Sequence, residues 1–379
     1  MSPALFAPIK VGNSLLNHRV VHSPLSRFRA DADHVPLPLM AEYYQQRVTE
    51  GGLIIAESTY ITENAGPYPF APGIYNDKQI EAWKEITKAV HNKGGIIFLQ
   101  LWHVGRGSAS ASSPGNKIPV SASAIAIKGK NIFGQDYEVP RALEIEEISQ
   151  FVQIYTDTAR NAISAGFDGV ELHGANGHLI DQFINTSSNV RTDKYGGSIE
   201  NRTRFALEII ESVSKAIGEE RTAIRLSPWS GFQDAEDDTP YETWGYLVNQ
   251  LQERHPKLAY LHFIEPRDDL VNSVYPEADR TEVVENDSIE PFRKAWKGPF
   301  ITAGGYTTTP KRAFETTEKL ENTLVAFGRS FIANPDLPLR LKNDWPLNKY
   351  DRSTFYTSGS VGYTDYPYYN PGTARDIKN

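Results

Sequence analysis

The decapeptide GVELHGANGH, residues 169–178, begins as an apolar run and ends as a turn that contains two glycines. A short apolar run of this kind is typical of a strand in a parallel sheet, because helices cover both faces of such a sheet. An apolar stripe at helical spacing precedes it over residues 144–165, and Gly166 ends this predicted helix. The segment therefore predicts one helix and one buried strand, with the strand ending near His173.

The same alternation extends in both directions along the chain. The predicted strands cover residues 19–22, 53–57, 96–101, 169–173, 222–226, 259–263, 300–303 and 323–327. The predicted helices cover residues 39–49, 78–92, 144–165, 199–217, 241–254, 286–296, 310–319 and 335–341. Eight strands that alternate with helices predict an α/β fold of the (β/α)8 TIM barrel type, as one domain over residues 1–379.

An open, doubly wound sheet is the alternative fold. Such a sheet usually carries a glycine-rich dinucleotide turn, and the pattern G-x-G-x-x-G does not occur in this sequence. Two long connections, residues 103–141 after the third strand and 265–285 after the sixth, follow the carboxyl ends of strands. Barrel enzymes build their sites on these loops.

Composition narrows the possible functions. The chain has 379 residues, a formal net charge of −8 and no cysteine, which excludes disulfides and thiolate catalysis. The excess of acidic over basic residues argues against nucleic-acid binding. We expect no membrane span, because the longest apolar run is far shorter than the roughly 20 residues needed. The histidines show no metal-binding spacing, and the start of the chain does not resemble a secretory signal, so we expect a cytoplasmic location. The oligomeric state stays open.

Polar residues gather at the predicted carboxyl ends of the strands. His173 and Asn176 are both hydrogen-bond donors and suit a carbonyl oxygen that becomes negatively charged, although H-x-x-N also occurs as an ordinary strand-end turn. After strands seven and eight, glycines and Arg329 suggest a phosphate site. Other strand ends offer a further set of polar groups: Ser26, Gln100, Trp102, His103 and Arg225.

Several motifs together resemble the Old Yellow Enzyme family, most closely its fungal members. They are HSPLSR at 22–27, GFDGVELHGANG at 166–177, RTDKYGGSIENR at 191–202, RLSP at 225–228, AGG at 303–305 and FGRSFIANPDLP at 327–338. The resemblance runs from about residue 5 to about residue 367. It implies a β/α barrel that binds FMN without a covalent link, takes hydride from NADPH or NADH, and reduces the C=C bond of α,β-unsaturated carbonyl compounds such as enones and enals.

The resemblance also implies roles for individual residues. His173, Asn176 and His178 would be catalytic. The residues expected to bind FMN are Pro24, Leu25, Ser26, Ser58, Gln100, Arg225, Gly304, Gly305, Gly328 and Arg329. The residues expected to line the substrate pocket are Tyr68, Trp102, Phe232, Phe355 and Tyr356, although ordinary packing would also explain these aromatics.

Two positions depart from the family pattern. Ser26 stands where the family usually has threonine, and His178 stands where it usually has the tyrosine that gives a proton to the substrate. The proton donor is therefore open between His178, Tyr68 and water. A redox-neutral alkene isomerase on the same site, a flavin-free barrel lyase or aldolase, and a non-catalytic flavin-binding protein remain alternatives.

Overall fold

The computed structural model describes residues 3–131, 134–266 and 287–372, and it contains a closed barrel of eight parallel strands. The strands of the barrel are β3 (Val20–His22), β4 (Leu53–Tyr60), β5 (Ile96–Trp102), β8 (Gly169–Gly174), β9 (Thr222–Leu226), β10 (Tyr260–Ile264), β11 (Phe300–Ala303) and β12 (Thr323–Phe327). They pair in this order, and β12 closes onto β3 through Val325 and Val20. The predicted barrel is confirmed, with each strand within a few residues of its predicted bounds.

Short strands and the helices complete the fold. A hairpin of β1 (Ile9–Val11) and β2 (Ser14–Leu16) precedes the barrel, and β6 (Val120–Ser121) pairs with β7 (Arg141–Ala142) inside the long connection after β5. The helices are α1 (Pro38–Arg47), α2 (Asp77–His91), α3 (Ile145–Ser164), α4 (Leu179–Ile184), α5 (Ile199–Ile217), α6 (Pro240–Arg254), α7 (Glu290–Ala295), α8 (Arg312–Lys319), α9 (Arg329–Ala333) and α10 (Leu337–Lys342).

Local chemistry explains where the longer helices begin. The Asn76 side chain accepts a hydrogen bond from the Gln79 backbone, so Asn76 caps α2. Ser198 caps α5 in the same way, because its side chain accepts a hydrogen bond from the Asn201 backbone. Apolar side chains between the barrel and its helices form the largest buried cluster.

Three expectations about individual elements need correction. Helix α4 was not predicted. The helix predicted at 335–341 is α10, Leu337–Lys342, and a separate helix, α9, precedes it. Helix α7 is shorter than the predicted 286–296. Most of the predicted loop 265–285 lies outside the described residues. Along the described ranges, none of the helices is long and apolar enough to cross a membrane.

Candidate active site

A cavity of about 310 Å³ opens at the carboxyl ends of the barrel strands, which is a size that suits a small ligand. Most of the predicted site residues line it: Pro24, Leu25, Ser26, Ser58, Trp102, His173, Asn176, His178, Arg225, Gly304, Gly305, Gly328, Arg329, Phe355 and Tyr356. The barrel thus brings together residues that are more than 300 positions apart in the sequence.

Three predicted residues are not among those that line the cavity. Gln100 is fully buried inside the barrel. The ring of Tyr68 stacks on Trp102 with centroids 5.5 Å apart, and the ring of Phe232 lies 6.4 Å from that of His178. Both aromatic side chains therefore support residues of the cavity wall.

Several further residues line the cavity that were not predicted from the sequence. Arg352, from the segment after α10, adds a guanidinium near Phe355. Tyr306, Thr307 and Thr308 follow the glycine pair of β11. Their position directly after Gly305 was the signal available, since loops that follow barrel strands build the sites.

The turn after β8 brings His173 and His178 into contact. The Nδ1 atom of His178 lies 3.2 Å from the Nε2 atom of His173, and the two rings are nearly perpendicular, at 81°. Asn176 between them adopts a positive φ of 58°, which asparagine tolerates better than most residues. The turn conformation thus places all three side chains at one wall of the cavity.

Hydrogen bonds from the loop after β9 orient Asn176. The backbone N–H of Asn176 donates to Ser227 Oγ at 2.7 Å, and Ser230 Oγ donates to Asn176 Oδ1 at 3.2 Å. Because Oδ1 accepts this bond, the amide nitrogen of Asn176 is the group that remains for a ligand, and it can only donate.

Two side chains of helix α4 bind the backbone N–H and the backbone carbonyl of Gly177 in the same turn. The N–H of Gly177 donates to Asp181 Oδ2 at 2.8 Å, and the carbonyl of Gly177 accepts from Gln182 Nε2 at 2.7 Å. The first turn of α4, directly after His178, therefore fixes the backbone that carries Asn176 and His178.

Burial and nearby charge keep both histidines of the turn neutral. Burial, and then the charge of Arg225, lower the pKa of His178 to about 3. Burial, His178 and Arg225 lower the pKa of His173 well below its usual value. Two neutral imidazoles carry two N–H groups, and one of these N–H groups is engaged in the contact between the two rings.

Replacing Asp181 with asparagine is expected to remove a pH dependence of stability. Burial raises the pKa of Asp181 from 3.8 to about 7, so between these values the folded chain holds a proton that the unfolded chain has lost. The protonated Asp181 therefore contributes its full stabilisation of the folded chain below about pH 3.8. This stabilisation is lost as the pH rises through about 7. The amide oxygen of asparagine still accepts from Gly177.

Denaturant unfolding at about pH 4 and about pH 8 measures the effect. The free energy of unfolding of Asp181→Asn, relative to the wild type, should rise by at least about 1 kcal/mol between these pH values. Asp157→Asn, which alters an exposed carboxylate, should show no such rise. An equal difference at both pH values for Asp181→Asn would contradict the prediction.

The loops after β11 and β12 fit the phosphate of FMN. Gly304 and Gly305 have φ values of 128° and 75°, which glycine adopts without strain. A Cβ atom at Gly328 would lie 3.3 Å from Leu25 Cδ2, which is tighter than an ordinary contact, so the backbone of Gly328 passes close to Leu25. Arg329 adds a cation at the same end of the cavity, and such a combination of backbone and guanidinium groups suits a phosphate.

The comparisons with known proteins agree with this geometry. The sequence model of the NADH:flavin oxidoreductase / NADH oxidase family matches residues 4–348 of this chain. The chain belongs to that family. The match confirms the family resemblance seen in the sequence and favours a flavin enzyme over a flavin-free lyase or aldolase.

Individual relatives cover nearly the whole chain. The putative 12-oxophytodienoate reductase 2 of Oryza sativa subsp. japonica is 47% identical over 365 residues, which are 96% of this chain and 94% of that protein. The flavin oxidoreductase hxnT of Emericella nidulans is 45% identical over 386 residues, 96% of this chain and 97% of that protein. A solved structure of morphinone reductase in complex with tetrahydroNAD has a TM-score of 0.87 at 42% identity and covers 98% of this chain and 99% of that chain.

Together, these findings confirm the predicted reaction class. This member of the NADH:flavin oxidoreductase family is an FMN-dependent enzyme that uses a nicotinamide nucleotide as hydride donor, on the (β/α)8 barrel of the family, and it reduces activated alkenes.

Proposed function

We propose that the cavity at the barrel mouth reduces α,β-unsaturated carbonyl compounds, with His173 and Asn176 binding the carbonyl oxygen of the substrate. The single observation that carries this proposal is the set of donors itself: the amide nitrogen of Asn176 and the neutral imidazoles of His173 and His178 lie on the same cavity wall. A substrate bound there would replace the contact between the two rings, which leaves His173 and His178 one N–H each to donate. Such donors stabilise the negative charge that develops on a carbonyl oxygen during hydride addition.

FMN, when bound, supplies the hydride that it has received from NADPH or NADH. The residues proposed to hold it fall into three groups. Pro24, Leu25 and Ser26 would contact its ring system, Ser58, Gln100 and Arg225 would bind the polar edge of the ring, and Gly304, Gly305, Gly328 and Arg329 would hold the phosphate. All of them except Gln100 line the cavity, and Gln100 accepts a hydrogen bond from Ser58.

The proposed unit is one FMN-binding barrel domain over residues 1–379, in the cytoplasm.

Aromatic side chains form the proposed substrate pocket. Trp102, Phe355 and Tyr356 line the cavity, and Tyr68 and Phe232 lie next to the lining residues Trp102 and His178. Flat apolar walls with a few donors suit a conjugated carbonyl compound, because the rings bury its apolar part while the donors orient the oxygen. Enones and enals are the substrate class we propose.

His178 is the proposed source of the proton for the α-carbon, as a neutral N–H donor. The pKa near 3 leaves almost no imidazolium at neutral pH, so the ordinary titration of histidine near pH 6.5 does not control this step. The same observation favours the second candidate function, alkene isomerisation. A weak acid at this position protonates the α-carbon slowly, so the hydride can leave the substrate again before protonation is complete.

The reoxidation of reduced enzyme by an enone is expected to show no loss of rate attributable to His178 between about pH 6 and about pH 8. The rate should fall in His178→Phe and be at least restored in His178→Tyr, because tyrosine also holds its proton throughout this range. Stopped-flow measurement of oxidised flavin gives the rates. A rate in His178→Phe equal to that of the wild type would show that His178 is not the proton source, which leaves Tyr68 or water.

A product balance tests the proposed function. Purified enzyme should contain FMN, and anaerobic incubation with NADPH and an enone should consume one NADPH for each saturated carbonyl product formed. Alkene isomers formed without consumption of NADPH would support the isomerase instead. Reduction of the flavin without turnover of any enone, enal or maleimide would support a non-catalytic flavin protein.

A further inference from the structure

A chain of hydrogen bonds runs through the barrel interior beneath the cavity. Ser58 Oγ donates to Gln100 Oε1, and Gln100 Nε2 donates to Glu171 Oε1 at 2.7 Å. On the other side, His262 Nδ1 lies 2.8 Å from Glu171 Oε2. Gln100, Glu171 and His262 have no exposed surface. A carboxylate inside the barrel is thus connected to Ser58, which lines the cavity.

The strand register places Arg225 beside this chain. Gln100 of β5 and Glu171 of β8 are register partners, and Arg225 of β9 is the partner of both His173 and His262. Since register partners on adjacent parallel strands share a face, Arg225 lies between the catalytic turn and the carboxylate network. Arg225 also lines the cavity.

Opposite charges of Glu171 and Arg225 act on the same neighbours. Burial lowers the pKa of His262, while Glu171 raises it and Arg225 lowers it. Burial and Glu171 raise the pKa of Tyr260, which Arg225 lowers. A neutral His262 with its proton on Nδ1 donates to Glu171, so each carboxylate oxygen accepts an N–H. A buried carboxylate requires such donors and a nearby positive charge to remain ionised.

We propose that Glu171 is a positioning residue that orients the Gln100 amide and partly neutralises Arg225, and that it thereby lowers the reduction potential of bound FMN. The inference rests on the proposed function, in which Gln100 and Arg225 contact the polar edge of the flavin. Reduction adds negative charge there, and a cation favours it. Because the Glu171 carboxylate partly offsets the positive charge of Arg225, it makes the negative charge added on reduction less favourable. Reduced FMN therefore remains a strong hydride donor.

The test is the midpoint potential of FMN in the intact holoenzyme, measured against a reference dye. Glu171→Gln removes the charge and keeps the shape of the side chain. At a fixed potential, the ratio of reduced to oxidised FMN should rise at least about ten-fold, which is about 30 mV for a two-electron couple. Glu171→Asp keeps the charge and should change the ratio less than about two-fold.

The matched control is Asp336→Asn, which removes a buried carboxylate that pairs with Arg340 outside the barrel interior. It should leave the potential unchanged even where it lowers stability. An unchanged or lower potential in folded Glu171→Gln, or the same rise in Asp336→Asn, would overturn the inference. Wild-type enzyme that binds no FMN would instead overturn the proposed function.

A second pair of variants carries the test if Glu171→Gln does not fold. His262→Leu removes the N–H donor that holds Glu171 Oε2, so the carboxylate is no longer fixed beside Gln100 and Arg225, and the potential should rise as in Glu171→Gln. His262→Gln supplies a replacement donor and should stay near the wild-type potential. Equal potentials in the two His262 variants would contradict the role of the network.

Discussion

His173→Ala is expected to slow the reoxidation of reduced enzyme by an enone by about 10²–10³-fold, the usual cost of losing one donor to a developing oxyanion. The loss of the imidazole also leaves His178 without its partner at 3.2 Å. FMN content should stay near that of the wild type, because the proposed contacts of His173 are with the substrate. Single-turnover stopped-flow measurement separates this step from reduction by NADPH.

Phenol binding provides an equilibrium check on the same assignment. A phenolate oxygen resembles the charged carbonyl oxygen of the transition state, so the double variant His173→Ala/Asn176→Ala should bind phenols much more weakly than the wild type. His91→Ala is a suitable control, because His91 is a partly exposed residue at the end of α2 that pairs with Asp168. Phenol affinity in the double variant equal to that of the wild type would show that the donors are elsewhere.

Arg329→Ala is expected to raise the dissociation constant of FMN by about 10–150-fold, since a hydrogen bond to a charged group contributes about 1.5–3 kcal/mol. Arg329 lines the cavity beside Gly328, at the start of α9. Fluorescence titration of flavin-free protein with FMN and with riboflavin measures the effect. The affinity for riboflavin, which has no phosphate, should change little.

Arg160→Ala serves as the matched control for the loss of a guanidinium, because Arg160 is exposed and pairs with Asp157. Its affinity for FMN should equal that of the wild type. An equal loss of affinity for FMN and riboflavin in Arg329→Ala would place the phosphate elsewhere.

The barrel could be predicted because its strands are buried on both faces. Each buried face requires apolar residues, so the strands appear as short apolar runs that are separated by amphipathic helices. Helix α4 escaped prediction for the same physical reason. All six of its residues, Leu179–Ile184, are buried, and a helix that is buried on every side shows no amphipathic period.

The site could be predicted only in part. His173, Asn176 and Arg329 follow strands and carry recognisable motifs, and the barrel brings them to one cavity. The partnership of His262 with Glu171 spans 91 positions and depends on barrel closure, which no local pattern records. The pKa of His178 near 3 likewise depends on burial and on Arg225, neither of which follows from the sequence near His178.

Anaerobic single-turnover reoxidation tests the central claim most directly. Enzyme reduced by a stoichiometric amount of NADPH is mixed with an enone, and the return of oxidised FMN is followed together with the product. Flavin reoxidation and formation of the saturated carbonyl compound are expected to share one rate, and His173→Ala is expected to slow both equally. Enone-independent reoxidation, or an unchanged rate in His173→Ala, would contradict the central claim.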